Sequence, residues 1–243
     1  MQIDINCDLG EGIGNDEELM PLISSCNIAC GGHIGNEKSM YNTLLLAKKY
    51  NVKIGAHPSF PDKDNFGRKI IDINSTDLRE SIYNQILNLK TEADNLQITI
   101  SHIKAHGALY NVACTNIEIA KAFISAVKKT ELEVSVFAPY NSAIASQAKK
   151  GNIPVKYEVF LDRTYTKNGN LVNRNQSNAL IYNSNEVFKQ LYGMFTQQKI
   201  ITISGESIYT EADTFCLHGD NKNAVSILKH LHKKCKEKNI SIN

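Results

Sequence analysis

Lys104 and His106 stand two residues apart in "IKAHGALYN", at the end of an apolar run. In a strand, period two places both side chains on one face. A cation and an imidazole on a buried face need partners or water, because an unpaired buried charge is costly. The same kind of ending recurs along the chain. Asp8 and Glu11 close "INCDLGEG", His33 closes "NIACGGH", and His57 stands in "IGAHPSF". Asp162 and Arg163 follow "EVF", and His218 and Asp220 end "TFCLHGD". Carboxylates and imidazoles gathered in this way supply general acid–base catalysis. Lys104 and Arg163 supply positive charge for an oxyanion or a phosphoryl group. Asp8, His33 and His57 also offer mixed oxygen and nitrogen ligands to a divalent metal, assembled from separate strands.

Each residue taken alone has a plainer reading. Asp8 and Glu11 would cap the next segment. His57 precedes Pro58, which holds its backbone extended. Asp162–Arg163 reads as a surface ion pair of little worth. Asp220 reads as the N-cap of the last helix, and His230 and His232 as solvated surface among lysines. The joint position of the acids and histidines at strand ends favours a site. No H-E-x-x-H, P-loop, Rossmann or G-x-S-x-G motif occurs, and a nucleophilic cysteine has no support.

Seven β-rich runs position these residues: "IDINCDLGEG", "SSCNIACGGH", "VKIGAHPSF", "ITISHIKAHG", "VSVFAPY", "VKYEVFLDR" and "TFCLHGD". Helical patterns separate them at 37–50, 77–96, 116–129, 141–150, 185–198 and 221–238, with Thr76 a cap for the second. Strand–helix units in series predict a parallel sheet with helical crossovers. Asp4, Asn6 and Asp8 share parity, as do His102, Lys104 and His106, and Glu158 and Asp162. Polar residues on one face near strand ends predict an α/β fold, a (β/α) barrel of about seven parallel strands, over a doubly wound sheet. Ile98 and Ile100 share the Lys104 face, which predicts an apolar floor beneath a polar mouth. The chain reads as a single barrel domain, 1–243, with an extended insertion near 164–183 and a turn at Gly205 between extended segments.

The chain has 243 residues, 42% of them hydrophobic and 21% charged, with a formal net charge of +2. That balance argues against nucleic acid or a membrane surface as partner, and no apolar run is long enough to span a bilayer. The start of the chain reads directly as a strand, and none of the six cysteines forms a C-x-x-C pair. A cytoplasmic protein with free buried thiols is expected.

Taken in order, "INCDLGEG", "NIACGGHIGN", "IGAHPSFPD" with "FGR", "IKAHGALYN", "EVFLDRTY" with "GNLVNR", and "DTFCLHGDN" resemble the LamB/YcsF family, the A-subunit proteins of 5-oxoprolinase. Departures are small. The family usually has Pro where Ala105 stands, a bulky aromatic at Gly32 and an acid at Asn36, and "LVNR" differs from its usual Pro-Arg ending. The resemblance implies a barrel of the polysaccharide-deacetylase type. It also implies ATP-dependent hydrolysis of 5-oxo-L-proline to L-glutamate, giving ADP and phosphate, with Mg accompanying ATP and with 5-oxoprolinase subunits B and C as partners. It leaves room for a homo-oligomer. ATP would bind here without a P-loop, or on a partner. In this reading Asp8, Glu11, Lys104, His106, Asp162, Arg163, His218 and Asp220 are the catalytic candidates. Asn6, His33, His57 and Tyr110 are the substrate-binding ones. The alternatives are a metal-dependent amide hydrolase or deacetylase that needs no ATP, and a non-catalytic lactam-binding subunit.

Overall fold

Asparagine starts many of the helices, because its side chain satisfies backbone N–H groups that the first turn leaves unpaired. Asn36, Asn74, Asn116 and Asn183 each accept from such groups, and Ser142 does the same. Asn74 therefore caps the second long helix, in place of the predicted Thr76. The computed structural model describes residues 1–242. Its elements run β1 (Gln2–Ile3), β2 (Ile5–Leu9), α1 (Asp16–Leu19), β3 (Ser25–Ala29), α2 (Glu37–Tyr50), β4 (Lys53–His57), α3 (Ser75–Asn95) and β5 (Ile100–Ile103). There follow α4 (Gly107–Thr115), α5 (Ile117–Lys129), β6 (Ser135–Ala138), α6 (Ala143–Lys150), β7 (Val155–Phe160), α7 (Ser184–Gln197), β8 (Lys199–Ile201), β9 (Ser207–Tyr209), β10 (Thr214–Cys216), α8 (Ala224–Glu237) and β11 (Ser241–Ile242).

The seven runs read from sequence become a closed parallel barrel in the order β10-β2-β3-β4-β5-β6-β7. The apolar stripes of the helices face it. In α5, for example, Ala120, Phe123, Ile124 and Val127 are buried. Strands β8 and β9 form the antiparallel hairpin around Gly205. The segment after β7 is extended and held by antiparallel bridges, Arg163 to Leu180 and Tyr165 to Leu171. All six cysteines are free thiols, five of them buried, and burial raises Cys30 to about 12. Among the described residues no helix is long and apolar enough to cross a membrane.

The barrel interior differs from the predicted apolar floor. Below the mouth lies a polar column. Ser25 and Thr214 donate to Asp4, Asn6 donates to Thr214, and Asn27 donates to both Asn6 and Asp8. His102 Nε2 donates to Asn27 Oδ1 at 2.9 Å and its ring stacks on Phe137. That ring needs Gly55 opposite it on β4, since a Cβ there would stand 2.2 Å from the imidazole. The departure at Gly32 has a similar cause. A Cβ at Gly32 would stand 2.2 Å from Gln85 Oε1, and Gln85 fills that space while accepting from the Ser59 N–H and donating to the Ser59 carbonyl. Asn36 substitutes for the usual acid as a helix cap, in a reciprocal box with Ser39.

Candidate active site

The C-terminal strand ends bring most of the candidate residues together. Lys104 follows β5 and is fully buried. Its Nζ lies 2.9 Å from Asp8 Oδ1, 3.0 Å from Glu158 Oε1 and 3.1 Å from Cys216 Sγ. Burial works against the ammonium charge, but Asp8 and Glu158 outweigh it and hold the lysine protonated. One cation thus faces two buried carboxylates. Glu158 comes from β7, and the Tyr110 ring packs edge-on to Phe160 two residues further along that strand. Burial first, and then Glu158, push the Tyr110 phenol well above its usual range.

Next to this pair lies a group of three imidazoles and two acids. His57 Nδ1 is 2.9 Å from the Lys104 carbonyl, and His106 Nε2 is 3.0 Å from the Phe66 carbonyl. A carbonyl only accepts, so each of these nitrogens carries its proton. The other two ring nitrogens, His57 Nε2 and His106 Nδ1, then face each other at 3.0 Å. Two neutral rings would oppose lone pairs there. The pair is therefore built to share a proton or to bind a cation. Asp8 Oδ2 lies 3.4 Å from His57 Nε2 and Glu11 Oε1 lies 3.3 Å from His106 Nδ1, so negative charge is already in place to balance it. His33 stacks on His106 with centroids 3.6 Å apart and donates through Nε2 to Glu11 at 3.1 Å. Its buried Nδ1 has no partner among the described residues.

These donors bear on the metal expectation. The sets whose ligand atoms converge include Asp8, His57 and His106, and Glu11, His33 and His106. The predicted set of Asp8, His33 and His57 is corrected in one member. His33 is turned to Glu11, and His106 takes its place beside Asp8 and His57.

His218 and Asp162 form a second unit. The imidazole Nδ1 donates to Asp162 Oδ1 at 2.8 Å, while Asn221 Nδ2 and the His218 backbone N–H hold Oδ2. Asp162 is fully buried. Burial alone would raise its carboxyl, but His218 and Asn221 overcome this and keep it ionised. Its place is behind His218, orienting the ring.

Three expected roles need correction. Arg163 does not reach the mouth. Its Nη2 donates to the Val172 carbonyl at 2.6 Å and its Nε to the Ala179 carbonyl at 3.3 Å. The chain bends after β7, leaving Asp162 behind His218 and carrying Arg163 into its bridge with Leu180 in the insertion. Asn6 lies fully buried below the mouth, with its amide bonded to Thr214, Asn27 and Lys104 in the polar column. Asp220 caps no helix, since Asn223 precedes α8. It pairs with Arg174 and Arg68 instead. His230 and His232 are half-buried, and His232 bonds the Leu22 carbonyl. Glu158, Asn27, Arg68 and Arg174 join the site without having been expected there. Glu158 carried a signal in its shared parity with Asp162, and Arg68 and Arg174 in the motifs "FGR" and "LVNR" that they end.

Two outcomes follow here. Arg163→Gln leaves the Val172 carbonyl without its donor, while the Ala179 carbonyl keeps the Thr164 N–H, and one unsatisfied buried group costs about 1–3 kcal/mol. A urea titration should show the lowered midpoint. The second concerns acid. Burial is the main cause that lowers His33 from 6.5 to about 4, so the native state favours the neutral ring. Between those values the unfolded chain binds more protons, and stability falls as pH drops through that window. Glu11 is held well below its usual range by His106 and His33 against burial, so its contribution is present above the ordinary carboxylate range and is lost at still lower pH. Denaturation midpoints measured from pH 7 to 4 should fall, with a shallower slope between 6.5 and 4 for His33→Asn.

A family model described as the LamB/YcsF family matches residues 3–243. A relative from Bacillus cereus (strain 03BB102), named as the A subunit of 5-oxoprolinase, is 39% identical over 246 residues, spanning 99% of this chain and 97% of its own. A relative of the same name from Bacillus anthracis (strain A0248) matches to the same extent, 39% over 246 residues. The crystal structure of the lactam utilization protein from Thermus thermophilus superposes with a TM-score of 0.93 at 29% identity, covering 100% of this chain and 99% of that one. A putative cellobiose-phosphate cleavage protein from Enterococcus faecalis V583 shares the fold, with a TM-score of 0.62 at 12% identity over 100% and 96% of the two chains.

Proposed function

The chain belongs to the LamB/YcsF family, and from that premise we propose that it is the lactam-opening subunit of an ATP-dependent 5-oxoprolinase. It would hydrolyse 5-oxo-L-proline to L-glutamate, with ATP and Mg, beside partner subunits B and C. The observation that carries this reading is the buried Lys104 ammonium set against Asp8 and Glu158 at the foot of the paired His57 and His106 rings. Such a site suits a neutral amide that becomes anionic as it reacts.

A five-membered lactam is a resonance-stabilised amide, and ring closure competes with opening. Phosphorylation of the amide oxygen by ATP makes the ring carbon electrophilic and releases ADP. Water adds, and the tetrahedral species expels the ring nitrogen as an amine, giving glutamyl phosphate. A second water then releases glutamate and phosphate. Lys104 steadies the charge that builds on the oxygens. The His57–His106 pair, with Asp8 and Glu11 behind it, takes the proton from the attacking water. His218, oriented by Asp162, protonates the leaving nitrogen.

The facing nitrogens of His57 and His106 favour a second reading, a metal-assisted amide hydrolase without ATP. Asp8, His57 and His106 would hold the ion, which would supply Lewis acidity and an activated water. Glutamate release from 5-oxoproline, assayed with nucleotide withheld and separately after chelation of tightly held metal, divides the two. The proposed function requires that withholding ATP abolish release. Release that is indifferent to ATP and abolished by chelation would overturn it in favour of the second reading.

A further inference from the structure

Arg68, Asp220 and Arg174 form a contact that the chemistry above does not use. Arg174 Nη1 and Nη2 donate to Asp220 at 2.5 and 2.8 Å, and Arg68 Nη2 donates to the same carboxylate at 2.6 Å. The three residues come from three loops. Arg68 follows β4, Arg174 lies in the insertion after β7, and Asp220 follows β10. In the barrel order, β4 is three strands from β10 by way of β2 and β3, and four by way of β7, β6 and β5. A ring of seven strands allows no greater separation. The Arg68–Asp220 bond therefore crosses the mouth of the barrel.

Its two ends rest on the two halves of the site. The Arg68 guanidinium lies 4.9 Å from the Phe66 ring, and Phe66 packs edge-on against His33 and His106. Asp220 stands two residues beyond His218. Arg174 is also within electrostatic reach of Asp162 and Asp8. Two guanidinium groups on one carboxylate leave a surplus positive charge. Arg68 uses only Nη2 on Asp220, so part of its donor fork is free.

We propose that this clasp recognises the carboxylate of an anionic lactam, with Arg174 and Arg68 binding it and Asp220 holding both guanidinium groups in place across the mouth. The inference rests on the 5-oxoproline reading for its substrate class. A planar fork of N–H donors matches a carboxylate bidentately, which a lysine does not. Asp220 then positions the arginines and is not the proton donor. Burial would raise its carboxyl, but the Arg174 hydrogen bonds and the His218, Arg174 and Arg68 charges bring it to about 2. A carboxyl so acidic has no proton to give near neutral pH.

The test is calorimetric titration of the full chain with 5-oxoproline and with 2-pyrrolidinone, the same ring without its carboxylate. The native chain should bind 5-oxoproline at least ~10-fold more tightly. Arg174→Gln should remove most of that preference and leave 2-pyrrolidinone binding unchanged, and Arg174→Lys should restore only part. Arg68→Gln, at a side chain 44% exposed, should weaken binding with no change in thermal midpoint. In the reconstituted enzyme both Gln variants should raise KM and spare kcat. A native chain without preference for the carboxylate overturns the proposal, as do Arg174→Gln and Arg68→Gln variants that keep it. Arg174-dependent preference in a chain whose assembly releases no glutamate supports the clasp and refutes the 5-oxoprolinase reading alone.

Discussion

Lys104→Met should lower ATP-dependent glutamate formation by ~100-fold or more, as loss of a preorganised charge at a reacting oxygen does. Methionine keeps much of the apolar stem and removes the ammonium. The effect on folding should also be large. Sequence parity alone suggests a variant that folds almost normally, since it shows only a lysine pointing inward. The structure adds Asp8 at 2.9 Å and Glu158 at 3.0 Å, both buried. Removing the cation strands two carboxylates, and breaking a buried pair from one side costs about 3–5 kcal/mol. The thermal midpoint of Lys104→Met should therefore fall. The double variant Lys104→Met with Glu158→Gln removes one stranded charge and should recover much of the midpoint with none of the activity. That separation distinguishes a role in chemistry from a role in stability. A single variant that retains activity per folded molecule would show that Lys104 only holds the barrel together.

His106→Gln should cost ~100- to 10,000-fold in kcat/KM, the range for a lost general acid–base group. Glutamine removes the ring nitrogen that faces His57 at 3.0 Å and Glu11 at 3.3 Å, and it breaks the stack on His33. His57→Gln should cost a comparable amount. The two rings share one proton position, so the double variant should be little worse than either single one. The pH profile gives a readout that a structural role would not move. The limb of kcat/KM set by the imidazole pair should disappear in both single variants. Multiplicative losses with an unchanged profile would mean that the two histidines act apart.

The path from sequence to site was legible where the physics is local. Six of the seven strand ends carry acids or histidines within a few residues of an apolar run, and barrel closure brings such ends together without any pairwise knowledge. Period two placed Lys104 inward. Arg163 escaped the same rule because the chain bends after β7 and pairs Arg163 with Leu180 in the insertion, which no spacing in the chain encodes. Helix α4 went unread because only Lys104, Ala105 and His106 separate it from β5, and Gly107, at a φ of 56°, turns the chain straight into it. The partnership of Lys104 with Glu158 depends on strands β5 and β7, which are not neighbours, and no spacing in the chain encodes that distance. Arg174 lies in an irregular segment without period, and its pairing with Asp220 across 46 residues comes from loop packing alone. The polar column from Asp4 to Asn27 went unread for a related reason. Parity marks Asp4, Asn6 and His102 as polar residues on the inner face, but only register shows that they satisfy one another.

The most direct measurement is glutamate and phosphate release from 5-oxoproline and ATP by the assembled subunits, with this chain present and with it omitted. A lactam-opening role predicts equal amounts of glutamate and phosphate when the chain is present and neither product in coupled form when it is absent. Full coupled turnover by the partners without this chain would contradict it.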